Sequence, residues 1–150
     1  MQISENQHGF MPGRSTVTNL LCLNSSITKA IDTNRQLDVI YTDFSKAFDS
    51  IDFGILIDKL IKLGFCKKLV KFLYSYLTQR EMYVFYGTES SVCFVSTSGV
   101  PQGSVLGPLL FTLFINDLSA IFQSFSLLFA DDLKIFRIVN DLGDCVAHSD

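Results

Sequence analysis

The chain has 150 residues, 48% of them hydrophobic and 14 of them phenylalanine, which is enough apolar mass for one packed domain and excludes a disordered tail. The net charge is −3, whereas proteins that grip nucleic acid tightly on their own carry excess Lys and Arg, so autonomous tight binding is not expected. The longest apolar stretch, Val105 to Ile115, is broken by Gly107, Pro108 and Thr112 and falls far short of the roughly 18 residues needed to span a bilayer, so no membrane association is expected.

From Thr16 to Asn34 the apolar residues Leu20, Leu23, Ile27, Ala30 and Ile31 recur at three- and four-residue spacing, which predicts a helix with one stripe against a core. Leu37 to Asp43 then alternates, so that Leu37, Val39, Tyr41 and Asp43 share one strand face and a carboxylate ends the strand. Asp52 is a plausible N-cap for a helix over 53–63, with Gly64 as its stop, and a further helix is predicted over 67–77. Arg80 to Tyr86 and Ser91 to Ser96, aromatic and β-branched, read as a hairpin joined by Gly87-Thr88-Glu89-Ser90. Ser98 to Ser104 is a Gly/Pro loop, followed by a helix running to about Ala120 with Ser104 as N-cap and Pro108 in its first turn. Ser126 to Ala130 and Leu133 to Ile138 flank Asp131-Asp132 and read as a second hairpin with the acidic pair at its tip.

Three of these places carry candidate chemistry. Mg²⁺ takes oxygen ligands and usually only one or two protein carboxylates, leaving the rest of its shell to phosphates and water. Neighbouring strand residues point to opposite faces, so Asp131 and Asp132 can share a metal region only near a turn. Alone, the pair reads equally as a solvated acidic turn. Asp43 supplies a third carboxylate, at a strand end where water or a cation must meet it. Together the three could hold two metals ~4 Å apart. Asp49 and Asp52 lie near helix starts and are expected to cap backbone N–H groups or to favour the helix dipole. In the Ser98–Ser104 loop, Gly99 and Gly103 permit close backbone approach, Pro101 stiffens the turn and Gln102 offers an amide. Such a loop suits a nucleotide, though alone it is also an ordinary connection before a core helix.

Lys59, Lys62, Lys67, Lys68, Lys71 and Arg80 are half of the 12 basic residues, and their spacing follows the polar faces of two amphipathic helices. The four cysteines, Cys22, Cys66, Cys93 and Cys145, are scattered, with only His8 and His148 beside them, and predict neither a zinc site nor a disulfide framework. MQISENQHGF lacks a basic region followed by an apolar segment, so no secretory signal is expected. The chain reads as intracellular, with nucleus or cytoplasm undetermined.

Taken together, DFSKAFD at 43–49, SGVPQGSVLGPLLF at 98–111 and FADD at 129–132 resemble the palm motifs of reverse transcriptases, most closely those of non-LTR (LINE-type, jockey-like) retrotransposons. NQHGFMPGRSTVTNLLCL at 6–23 resembles the segment preceding the palm in that family, through His8, Gly9, Phe10, Gly13, Arg14, Ser15 and Thr16. The resemblance implies an α+β fold: a right-hand polymerase palm, with an antiparallel sheet packed on helices, and partial fingers. It implies a single domain fragment over 1–150, with late fingers over 1–36 and palm over 37–150.

The implied activity is RNA-directed DNA synthesis from dNTPs at a primer 3′-hydroxyl, with an RNA template, a DNA primer and two Mg²⁺ ions, or Mn²⁺ in their place. By matching position, Asp43 and Asp131 would be the principal metal ligands, Asp132 the neighbouring carboxylate, and the Phe44 carbonyl a further metal contact. Phe48 would be the steric gate against a 2′-hydroxyl. Pro101, Gln102 and Gly103 would line the nucleotide and template side, and Arg14 would contact the template or brace the fingers. Two alternatives stand beside this: a catalytically incompetent remnant or domesticated nucleic-acid-binding module that keeps the fold, and another palm-type polymerase or nucleotidyl cyclase, against which the Pro-Gln-Gly loop argues. Oligomeric state is not indicated.

Overall fold

The computed structural model describes residues 3–122 and 124–140. In chain order the elements are α1 (Thr16–Asp32), β1 (Gln36–Asp43), α2 (Phe53–Lys62), α3 (Lys67–Leu77), β2 (Glu81–Met82), β3 (Phe85–Tyr86), β4 (Glu89–Ser90), β5 (Phe94–Val95), α4 (Leu106–Phe114), a 3₁₀ turn (Leu118–Ala120), β6 (Phe125–Phe129) and β7 (Asp132–Val139). The described residues form two compact units, one comprising Ser45–Ile115 and the other Ile3–Phe44 with the described residues between Asn116 and Asn140. No described helix is long and apolar enough to cross a membrane.

The second unit is built on an antiparallel sheet of order β1-β7-β6. β1 pairs with β7 from Gln36↔Val139 to Asp43↔Asp132, and β6 pairs with β7 from Phe125↔Phe136 to Phe129↔Asp132. Cross-strand partners share a face, so Leu37, Val39, Tyr41 and Asp43 align with Ile138, Phe136, Lys134 and Asp132. α1 covers the apolar end of that face, where Leu23 packs with Leu127 and Phe136, and Ile27, Leu37 and Val39 surround them. Burying a side chain such as Leu23 contributes about 2 kcal/mol. The helix starts at a full capping box: Ser15 Oγ accepts the Thr18 N–H, and Thr18 Oγ1 accepts the Ser15 N–H. The open edge of β6 is covered by the N-terminal segment, with Leu128 N–H donating to Asn6 O at 2.9 Å and His8 N–H to Leu128 O at 2.8 Å.

In the first unit α2 packs on α3 and α4, burying Leu56 and Leu60 of α2, Val70, Leu73 and Leu77 of α3, and Leu110, Phe111 and Leu113 of α4. Asp52 caps α2 by accepting the Ile55 N–H at 2.8 Å, and Gly64, at φ +83°, follows its end.

Two elements depart from the sequence expectation. The helix expected to reach Ala120 ends at Phe114, and only a 3₁₀ turn follows. Asn116 is a poor helix former, and its side chain instead accepts the Ser4 N–H at 2.8 Å. Ser104 does satisfy the first turn of α4, accepting the Gly107 N–H at 2.9 Å while donating to Pro101 O. The hairpin over 80–96 is two short ladders, β2 with β5 and β3 with β4. Glu89 and Ser90 are strand residues, which leaves Gly87-Thr88 as the turn. Between the ladders Ser91 Oγ takes the Val84 N–H, a side-chain substitute for a ladder bond.

Candidate active site

Asp43 closes β1 and Asp132 opens the central strand β7, and the two are register partners at one end of the sheet. Both are exposed. Asp131 sits between them and β6, in the two-residue turn Ala130-Asp131 that joins Phe129 to Asp132. The acidic tip expected from sequence is therefore divided: Asp131 lies in the turn, while Asp132 belongs to the strand. Among the described residues no three Asp, Glu, His or Cys side chains stand close enough together to hold one ion. The donor set is nonetheless suited to a hard divalent cation, because it offers exposed carboxylate oxygens and leaves room for phosphate and water ligands. A cavity of about 390 Å³ adjoins the pair, lined by Asp43, Asp132, Tyr41 and Lys134 and by Thr16, Asn19 and Leu20 of α1. Lys134 brings positive charge there. Its ammonium donates to Asn19 Oδ1 at 2.6 Å and lies 5.8 Å from the Tyr41 ring centroid.

The residues preceding α1 brace this hairpin. Gln7 is buried, and its carboxamide bonds the backbone of both Gly9 and Ala130. Arg14 donates from its guanidinium to the Glu5 and Gln7 carbonyls, an internal brace on the chain. His8 is buried with Nδ1 2.8 Å from Thr18 Oγ1. Since the Thr18 hydroxyl proton goes to Ser15 O, the ring donates through Nδ1. Burial, reinforced by the charges of Arg14 and Lys134, holds the His8 pKa below its ordinary value.

The Gly/Pro loop belongs to the first unit and is fastened to the end of the DFSKAFD segment. Val100 N–H donates to Phe48 O at 2.9 Å, Gly99 N–H to Ile51 O at 2.8 Å, and Ser98 Oγ to Asp49 O at 2.8 Å. Gly99 has φ +80°, and a Cβ there would stand 2.6 Å from Asp49 Cα, so no other residue fits. Arg80 ties the other side, donating to Leu77 O, Ser96 Oγ and Gly99 O. Asp49 is not a helix cap. Its Oδ1 accepts the Gln102 Nε2–H at 2.8 Å, which orients the amide on the wall of a cleft of about 610 Å³ shared with Arg80, Ser98 and Pro101. Phe48 is half-buried and stacked on Phe111, with centroids 4.3 Å apart and planes at 24°.

The sequence from residue 1 to 140 matches the family model described as reverse transcriptase (RNA-dependent DNA polymerase). The chain belongs to the reverse transcriptase family. It is 38% identical over 116 residues to the probable RNA-directed DNA polymerase from transposon BS of Drosophila melanogaster, covering 77% of this chain and 13% of that protein. It is 34% identical over 136 residues to the corresponding probable polymerase from transposon X-element of the same fly, covering 87% of this chain and 15% of that protein. This reverse transcriptase chain thus spans about one seventh of the length of these relatives. Among solved structures, apo telomerase from Candida tropicalis matches with a TM-score of 0.68 at 13% identity, over 95% of this chain and 32% of that one. That likeness shows an α+β, palm-like polymerase fold.

Sequence reasoning singled out Asp43, Asp131 and Asp132, and the fold makes a register pair of Asp43 and Asp132 with Asp131 in the adjoining turn. It missed Gln7, Asn19 and Lys134. Lys134 was within reach: it shares the strand face of Asp132 two residues on. Of the basic cluster at 59–80, Lys59 and Arg80 face inward. Lys59 Nζ donates to Phe114 O at 2.5 Å, at the C-terminus of α4, and lies over the Phe114 ring. Cys22, Cys66 and Cys93 are free and exposed, while Cys145 and His148 lie outside the described residues.

Proposed function

We propose that this chain is the palm region of an RNA-directed DNA polymerase of a non-LTR retrotransposon, extending a DNA primer on an RNA template with dNTPs. In this reading Asp43, Asp131 and Asp132, with the Phe44 carbonyl, hold two divalent cations, Mg²⁺ or Mn²⁺. Bound there, the cations would neutralise charge on the reacting phosphate and favour ionisation of the primer hydroxyl. The observation that carries the reading is the register pair Asp43–Asp132 beside the Asp131 turn, in a chain that matches the family along 1–140.

The chain's own residues have separable tasks. The three carboxylates supply oxygen donors at a solvent-facing sheet end, and without cations they repel one another. Phe48 excludes a 2′-hydroxyl by shape, and its stacking on Phe111 supports that role by restricting the ring. Pro101, Gln102 and Gly103 line the nucleotide and template side, with Gln102 oriented by Asp49. Arg14 acts through the Glu5 and Gln7 carbonyls as a brace.

Primer extension on poly(rA)/oligo(dT) with Mg²⁺ and dTTP tests the proposal. Incorporation by the native chain that disappears in Asp131→Asn supports it. Equal background in both contradicts polymerase competence of this chain and favours a remnant that keeps the fold without turnover.

A further inference from the structure

Gln7 is 2% exposed, and its carboxamide is directed at one turn. Its Oε1 accepts the N–H of Gly9 at 2.7 Å and that of Ala130 at 3.1 Å, and its Nε2 donates to the Ala130 carbonyl at 3.4 Å. Ala130 occupies the first central position of the Ala130-Asp131 turn with φ +54°, a conformation normally left to glycine. Holding an L-residue there costs about 1–2 kcal/mol and persists only when the surroundings over-determine it. The surroundings do so. A Cβ on Gly9 would stand 2.1 Å from Ala130 N, so the chain at Gly9 lies directly against the turn. Arg14 fastens the segment that carries the amide through the Gln7 and Glu5 carbonyls.

Covering the β6 edge requires only the backbone bonds already made by Asn6 and His8 with Leu128. The Gln7 side chain goes beyond that, taking both backbone groups of the residue immediately before Asp131. We propose that Gln7 is a positioning residue for Asp131: its buried carboxamide fixes the strained Ala130 peptide and so sets where the Asp131 carboxylate is presented. The inference rests on the reading of Asp131 as a metal ligand and assigns an outer partner to it. Such partners typically change metal affinity 10–100-fold when removed.

The test is Mn²⁺ binding to the full chain, followed by the electron paramagnetic resonance signal of the free ion well below the melting temperature. Gln7→Met keeps volume and removes all three bonds, and is expected to weaken binding about tenfold. Ala130→Gly, which adopts positive φ unaided, is expected to change little alone and to restore Gln7→Met to within about threefold of native affinity. Leu23→Ala in the α1–sheet core serves as the purely structural comparison, with a lower melting temperature and unchanged Mn²⁺ affinity. Native affinity in Gln7→Met, or loss without rescue by Ala130→Gly, overturns the inference. If Gln7→Met alone does not fold, the double variant decides: folded with near-native affinity supports it, and unfolded or weakly binding overturns it. Absence of Mn²⁺ binding by the native chain, or binding unaffected by Asp131→Asn, overturns the metal-site reading and this inference with it. Native binding that needs Asp131 and ignores Gln7 overturns this inference alone.

Discussion

Asp43 and Asp132 face each other as register partners across the last rung of the β1–β7 ladder. Two carboxylates directly opposite on one sheet face repel, and the fold places them where solvent or a cation can intervene. Asp132→Asn is therefore expected to stabilise the metal-free chain by a few tenths of a kcal/mol, the effect shrinking with added salt. Thermal melts in EDTA at low and at about 0.15 M ionic strength measure this. A lower melting temperature in Asp132→Asn would mean that the pair is not repulsive in the fold.

His8 predicts an acid-sensitive fold. Its native pKa lies below the ordinary 6.5, mainly because of burial. Between that ordinary value and the lowered one the unfolded chain takes up a proton that the folded chain does not. Stability is thus fully present above about 6.5 and is lost as pH falls through that window. Urea midpoints between pH 7.5 and 5.5, compared with those of His8→Gln, isolate this contribution from the carboxylates. Parallel pH profiles for the two chains would contradict it.

How much of this was legible in the sequence depends on the range of the interactions. α1, α2 and α3 were readable almost to the residue because 3.6-residue periodicity, Asp52 and Gly64 are local signals. The strand that delivers Asp43 was equally plain from its alternation. The end of α4 was not, because Asn116 bonds to Ser4, 112 residues away. Nor was the Gln7 clamp, whose partner Ala130 lies 123 residues on and which involves a single parallel bridge rather than a patterned strand. Asp49 was read as a cap from its neighbourhood, and its actual partner, Gln102, is 53 residues away.

Asp49 and Gln102 should be energetically coupled. Both are exposed, so the hydrogen bond between them contributes about 0.5–1 kcal/mol to a double-mutant cycle of Asp49→Ala and Gln102→Ala. Additive unfolding free energies would show that the contact does not hold the amide.

Gly99 tolerates no side chain. Positive φ and a Cβ placed 2.6 Å from Asp49 Cα together predict that Gly99→Ala destabilises by about 2 kcal/mol or more. Chemical denaturation measures it. A loss under about 0.5 kcal/mol, the size of an ordinary surface change, would show that the loop is not pinned against Asp49.

Phe48→Ala removes a ring stacked on the buried Phe111, and a half-buried phenylalanine predicts a loss of about 2 kcal/mol, below the range for full burial. In primer extension the same substitution is expected to narrow the preference for dNTPs over NTPs, whereas Phe48→Tyr keeps it. Unchanged discrimination in Phe48→Ala would remove the gate.

The proposed sharing of one metal site by Asp43, Asp131 and Asp132 can be tested by mapping where the ion binds. Fe²⁺ substituted for Mg²⁺, with ascorbate and peroxide, cuts the backbone close to where it binds, and the cut positions can be read by mass spectrometry. Cleavage is expected around residues 43–44 and 131–132, competed by Mg²⁺ and lost in Asp131→Asn. Cleavage elsewhere, or at these positions without dependence on Asp131, would contradict it.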